Sequence, residues 1–171
     1  LGSDTGGSIR FPASCCGLVG MKPTYGRVSR FGAMPLSFSL DHIGPLTRSV
    51  EDCALLTEII SGSDPNDSTS SSRPKGDYLT ELETGIRGLK IGVPTTYASG
   101  APPFLAPVHA EVMREMEKSL AVFKAAGAEI VPLELPDSFK ICNDLANIIA
   151  GAESSSAHAN WLKQRAEDYG S

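Results

Sequence analysis

"LKIGVP" at Leu89–Pro94, "PVHAEVMREMEKSLAVFKAAG" at Pro107–Gly127 and "AEIVPLEL" at Ala128–Leu135 read in order as strand, helix and returning strand. The two outer pieces are short apolar runs of strand length. In the middle piece Val108, Val112, Met116, Leu120 and Phe123 recur at the three-to-four spacing of one helix face, and Gly127 stands where a left-handed glycine closes a helix. A helix joining two parallel strands is the unit of α/β architecture, and its crossover is right-handed by default. The expected fold class is therefore α/β, a mixed sheet covered by helices. The helix predicted over Val108–Ala126 should bury Val112, Leu120 and Phe123.

Upstream, "RSVEDCALLTEIISG" has Ser49 as N-cap, Asp52 at the third helical position, and an apolar face of Val50, Leu55, Leu56, Ile59 and Ile60. This predicts a helix over Val50–Ser61 that buries Leu55, Leu56 and Ile59. The run "SDPNDSTSSSRPKGD", residues 63–77, consists of turn formers that bury no face, and it predicts a polar surface loop. Its Asn66-Asp67-Ser68 sequon reads as coincidence. From Asp137 onward the sequence reads as helix with a break near Gly151. Leu1 to Pro45 is dense in glycine and proline and has no sustained helical period, as expected of loops and short elements around a site.

With 171 residues and 41% hydrophobic content, the chain has the size and composition of one globular domain. Its 15 basic and 20 acidic residues give a net charge of −5, which offers no footprint for nucleic acid and no polybasic membrane patch. No apolar run approaches the roughly 18 residues of a spanning helix. Cys15, Cys16, Cys53 and Cys142 match neither a metal spacing nor a disulfide framework, so free thiols in a reducing cytoplasm are expected. His42, His109 and His158 lie far apart without a ligand motif, and neither metal nor cofactor is expected.

The chemistry concentrates in "LGSDTGGSIR", Leu1–Arg10, which reads as a strand-to-turn-to-helix junction. Gly6 and Gly7 let successive N–H groups aim at one point, as a developing oxyanion needs, while Ser8 projects beside them. A serine nucleophile also needs a base. Adjacent Asp41 and His42 cannot orient each other through Nδ1 as a triad requires. Ser72 and Lys75 have the S-x-x-K spacing, but in a polar loop with Pro74 between them. Lys22, before Pro23, reads as part of an extended segment. Asp4 and Arg10 bracket the turn, either as a pair that supports it or as loop charges facing water. The residues alone thus give a nucleophile without a base.

"GSDTGGSIRFPASCCGLVGMKPTYGRVSRFG" followed by "SLDHIGPLTRSVEDCALL" resembles the core of the amidase signature family of serine hydrolases, densely from Gly2 to Asp67 and more loosely over Leu89–Leu135. The resemblance implies a Ser-cisSer-Lys triad in which Ser8 is the acyl-accepting nucleophile. It also implies an oxyanion hole built from the backbone N–H groups of Thr5, Gly6, Gly7 and Ser8. The family's lysine and cis-peptide serine lie upstream of this element, and neither is matched within the 171 residues. The chain is therefore expected to be a fragment that starts at the nucleophile loop, with residues 1–171 the central part of a single amidase domain incomplete at both ends.

The implied function is an amidase that cleaves a small carboxamide through an acyl-serine. One alternative is the glutaminase component of a glutamyl-tRNA(Gln) or aspartyl-tRNA(Asn) amidotransferase complex; another is an inactive structural remnant. Against the amidotransferase component stands the run Ala152-Glu153-Ser154-Ser155-Ser156-Ala157-His158, where that component carries an A-E-A-S-S-N-L-A-R type sequence near its substrate pocket. The expected partners are a small amide and the missing N-terminal part of the same domain, with neither membrane nor direct nucleic-acid contact. A homodimer is left open.

Overall fold

The computed structural model describes residues 1–95 and 108–170. In chain order these form β1 (Gly2–Asp4), α1 (Arg10–Cys15), β2 (Val19–Gly20), β3 (His42–Gly44), β4 (Leu46–Thr47), α2 (Val50–Ile60), α3 (Tyr78–Leu82), β5 (Lys90–Pro94), α4 (Ala110–Ala125), β6 (Glu129–Leu133) and α5 (Phe139–Gln164), followed by a 3-10 turn at Ala166–Asp168. They fall into two compact units, Leu1–Glu83 with Leu145–Ser171, and Thr84–Asp144. No helix among the described residues is long and apolar enough to cross a membrane.

The second unit contains the strand-helix-strand expected from the sequence. β5 and β6 pair in parallel from Lys90 opposite Glu129 to Pro94 opposite Leu133. Helix α4 ends in a Schellman motif, with Ala128 N–H donating to Phe123 O at 3.0 Å and Gly127 N–H to Lys124 O at 3.0 Å. Gly127 has φ +96°, and a Cβ there would stand 3.2 Å from Arg87 Cγ. The expected buried face needs correction: Val112 and Phe123 are exposed, and the half-buried row is Met113, Met116 and Leu120. A ladder of two strands, about 5 Å apart, covers only one row of helix side chains.

In the first unit β1 runs antiparallel to β3, pairing Gly2 with Gly44, Ser3 with Ile43 and Asp4 with His42. β2 runs antiparallel to β4. Both strand orientations are thus present, but the described strands form three separate two-stranded ladders instead of one mixed sheet. Pieces of two or three residues leave little edge to extend, and Pro45, between β3 and β4, carries no N–H for a ladder. Ser49 caps α2 as expected, its hydroxyl accepting from Asp52 N–H at 3.1 Å. α2 packs on β2, β4 and α3, but buries the small residues Cys53, Ala54 and Thr57. Leu55 and Ile59 are exposed and Leu56 is half-buried, contrary to expectation. Small side chains allow the helix to lie close against the short strands, which turns its bulkier face away.

α5 runs unbroken through Gly151, where the sequence predicts an interruption. One glycine costs a helix about 1 kcal/mol relative to alanine, and Ala150 and Ala152 flank it. Residues 63–77 are largely exposed but firmly tied: Asp64 accepts from Ser29 Oγ at 2.6 Å, Asp67 from Arg30 N–H at 2.8 Å, and Arg27 reaches Pro74 O at 2.9 Å.

Candidate active site

Ser8 is exposed on the turn between β1 and α1, as the two preceding glycines predict. Ile9, next in sequence, is 0% exposed. Three glycines make room for it. A Cβ on Gly2, Gly20 or Gly44 would come within 3.3 Å of Ile9 Cγ1, 3.2 Å of its Cγ2 or 3.1 Å of its Cδ1, respectively. The serine is thus held by packing of the residue behind it, with its own side chain left clear.

Polar anchoring comes from Asp4, whose side chain is wholly buried. Its Oδ1 accepts from Gly7 N–H at 2.7 Å and Arg10 Nη2 at 3.0 Å, and its Oδ2 from Ile9 N–H at 3.2 Å, Arg10 N–H at 3.4 Å and Arg10 Nε at 3.0 Å. Burial pushes this carboxyl upward, but the Arg10 guanidinium and the backbone donors outweigh it and hold it at about 2. The same pairing raises Arg10 above the ordinary arginine value. Of the two readings of these charges, the pair is the one formed.

Of the four N–H groups expected to serve an oxyanion, that of Gly7 is spent on Asp4, three residues before it. Those of Thr5, Gly6 and Ser8 take no partner among the described residues. Thr5 is fixed from its side chain, its hydroxyl donating to Asp41 Oδ1. Buried Asp41 also accepts the N–H groups of Leu36 and Ser37 through Oδ2, at 2.8 and 2.9 Å.

The other candidate bases lie in different arrangements. His42 Nδ1 is 2.6 Å from Leu40 O, an acceptor, so this nitrogen carries the proton and Nε2 accepts from Lys22 Nζ at 3.2 Å. Asp41 makes its bonds to Thr5 and the 36–37 backbone, so Asp41 and His42 form no triad. Ser72 and Lys75 lie in a loop, with Lys75 Nζ 3.5 Å from Glu58 O. Cys15 and Cys16 are exposed free thiols at the end of α1. No cluster of histidine, cysteine, aspartate and glutamate among the described residues could hold a metal ion.

Two anchors are not evident from the sequence. Asp41, a candidate triad member by its place beside His42, serves instead to hold Thr5; its signal is the turn-rich "PLSFSLD" in which it stands. Glu153 on α5 accepts from Ser37 Oγ, from Ser39 N–H at 3.0 Å and from Ser39 Oγ at 2.7 Å, and nothing local marks it. A cavity of about 440 Å³ opens beside this network, with Ser3, Asp41, Ile43, Phe31, Met34 and Phe38 among its lining.

The chain matches the model of the Amidase family over residues 1–170. The A-component of the glutamyl-tRNA(Gln) amidotransferase of Trichlorobacter lovleyi is 48% identical over 161 residues, 94% of this chain and 32% of that protein. Among solved structures, the protein of the same name from Thermotoga maritima superposes with a TM-score of 0.82 at 41% identity, covering 97% of this chain and 36% of that one. The peptide amidase of Stenotrophomonas maltophilia does so with a TM-score of 0.74 at 33% identity, covering 95% and 32%. The chain spans about a third of the length of the curated relatives it matches. With the family model matched from the first residue to residue 170, and with the Gly-Gly-Ser turn set on a buried Asp4 and Ile9, the chain belongs to the amidase family.

Proposed function

We propose that the protein containing this chain hydrolyses a carboxamide C–N bond through an acyl-Ser8 intermediate. One observation carries the reading: Ser8 is exposed on an anchored turn beside the N–H groups of Thr5, Gly6 and Ser8, which take no partner among the described residues. In this mechanism Ser8 Oγ attacks the amide carbon and passes its proton to a serine–lysine relay contributed from outside these 171 residues. The developing oxyanion takes the free N–H groups, and the Gly7 N–H keeps the turn on Asp4. The C–N bond breaks as the relay protonates the leaving amine. Water then cleaves the ester, giving a carboxylic acid and restoring Ser8. In the same proposal, residues 1–171 are the central part of one amidase domain, acting in the cytoplasm on a small amide.

The test is labelling of the full-length protein by a fluorophosphonate. Ser8→Ala should abolish labelling and turnover, whereas His42→Ala and Cys15→Ala should keep most of both, because the relay uses neither imidazole nor thiol. Turnover lost with His42 but retained without Ser8 would overturn the mechanism. A second reading, the glutaminase component of an amidotransferase, draws on the 48% identity to proteins of that name. It requires a copurifying partner protein, with glutaminase activity that rises when that partner is added.

A further inference from the structure

We infer that Glu153 is a positioning residue for the hydrolytic turn, acting through the 36–41 segment and Asp41 on Thr5. The inference rests on the amidase reading above and adds a residue to its site. The connection is a continuous hydrogen-bonded chain within one compact unit. Both carboxylate oxygens of Glu153 are engaged, Oε2 by Ser37 Oγ and Ser39 N–H and Oε1 by Ser39 Oγ. Ser37 is 0% exposed, and its N–H donates at 2.9 Å to Asp41 Oδ2. The N–H of Asp41 in turn donates to Ser37 O at 2.8 Å, which closes the segment into a tight turn. The other oxygen of Asp41 takes the hydroxyl of Thr5, the first residue of the proposed oxyanion set.

Each link is of the kind that transmits position. A carboxylate that only accepts, and whose partners are all donors, tolerates few alternative geometries. At the Ser37–Asp41 link, which is buried, the bond is strengthened and an unpaired member would be costly. Burial pushes the Glu153 carboxyl up, but the Ser37 and Ser39 donors outweigh it and hold it below the ordinary glutamate range. The same helix segment adds a second tie, with His158 Nε2 at 3.1 Å from Pro35 O. The hydrogen-bond partners of Glu153 among the described residues are Ser37 and Ser39, so its expected effect is on how the Thr5 N–H is aimed, not on substrate binding.

The test uses the full-length protein with Glu153→Ala, Glu153→Gln, Asp41→Asn and the Glu153→Ala/Asp41→Asn double variant. Glu153→Ala should lower kcat about 10-fold with KM nearly unchanged, the pattern of a misaimed group. Glu153→Gln keeps an acceptor and should recover most of that loss. The double variant should be no slower than Asp41→Asn alone, since both residues act through one chain. Additive losses, or a raised KM with kcat intact, would overturn the inference. A readout independent of turnover is the Thr5 methyl resonance in a methyl-labelled NMR spectrum. Glu153→Ala should move it while leaving that of Thr80 in place, and an unmoved Thr5 resonance also overturns the inference. A wild-type protein that neither cleaves amides nor labels at Ser8 would count against the amidase reading, with the Thr5 resonance still deciding the role of Glu153.

Discussion

Replacing Asp4 with asparagine removes a charge while keeping the shape of the side chain, and the contacts of Asp4 set the cost. Each carboxylate oxygen accepts one backbone N–H and one guanidinium nitrogen within 3.2 Å. Whichever oxygen becomes an amide NH2, two donors are left facing a donor. Hydrogen bonds to charged groups contribute about 1.5–3 kcal/mol each, and breaking a buried pair costs about 3–5 kcal/mol. Arg10 is half exposed and recovers part of its solvation, so a loss of about 3 kcal/mol is expected. Urea unfolding measures it, and hydrogen exchange at the Gly7 and Ile9 amides localises it. A loss under about 1 kcal/mol, the range of an exposed ion pair, would refute the reasoning. The pH dependence carries a sign. Asp4 titrates at about 2 in the fold against an ordinary 3.8. Its contribution is therefore full above about pH 4 and lost as pH falls toward 2. At about 1.4 kcal/mol per pH unit this amounts to at most about 2.5 kcal/mol, less some solvent screening, and the wild-type advantage over Asp4→Asn should shrink across that window.

Gly44→Ala would set a Cβ 2.2 Å from Met21 O, a backbone atom, and should destabilise by about 3 kcal/mol in thermal or urea unfolding; a neutral result would mean that β3 and the segment at Met21 shift apart easily. Leu120→Ala, on a half-buried residue, should cost about 1–2 kcal/mol, below the range for a fully buried leucine. Val112→Ala, on the exposed side, should be close to neutral by the same measurement, and the reverse ranking would show the helix face to be misassigned.

Local chemistry is legible where one residue type satisfies a local need. Ser49 caps α2 because a hydroxyl must meet the Asp52 N–H, and Gly127 ends α4 because the Schellman turn requires positive φ. The β5-α4-β6 unit follows from periodicity for the same reason. The buried faces do not follow. The spacing of Leu55 and Ile59, or of Val112 and Phe123, identifies an apolar face but says nothing of what lies against it. The β1–β3 pairing is hidden too, since Gly2–Asp4 and His42–Gly44 are too short to alternate and are separated in sequence by α1 and β2. In the site, Ser8 and its glycines can be read from one decapeptide. Asp41 is visible as an acid, but its neighbour His42 suggests the wrong partner. Glu153 reaches Ser39 from 114 residues away, and no local pattern encodes such a bond.

The packing around Ile9 has a consequence for how substitutions in this protein would be interpreted. The residue behind the serine fills a space bounded by Gly2, Gly20 and Gly44, which lie on three different strands. A methyl group added at any of them presses on Ile9, and through it on the peptide that carries Ser8. A random library scored only for loss of activity would therefore return these glycines beside the serine, although none has a side chain to contribute. Second-site revertants offer a way to separate the two kinds of position. A smaller residue in place of Ile9 gives room to a Gly2 variant, whose other close atom is the flexible end of Leu46, whereas no change at Ile9 restores the proposed nucleophile to a chain without Ser8.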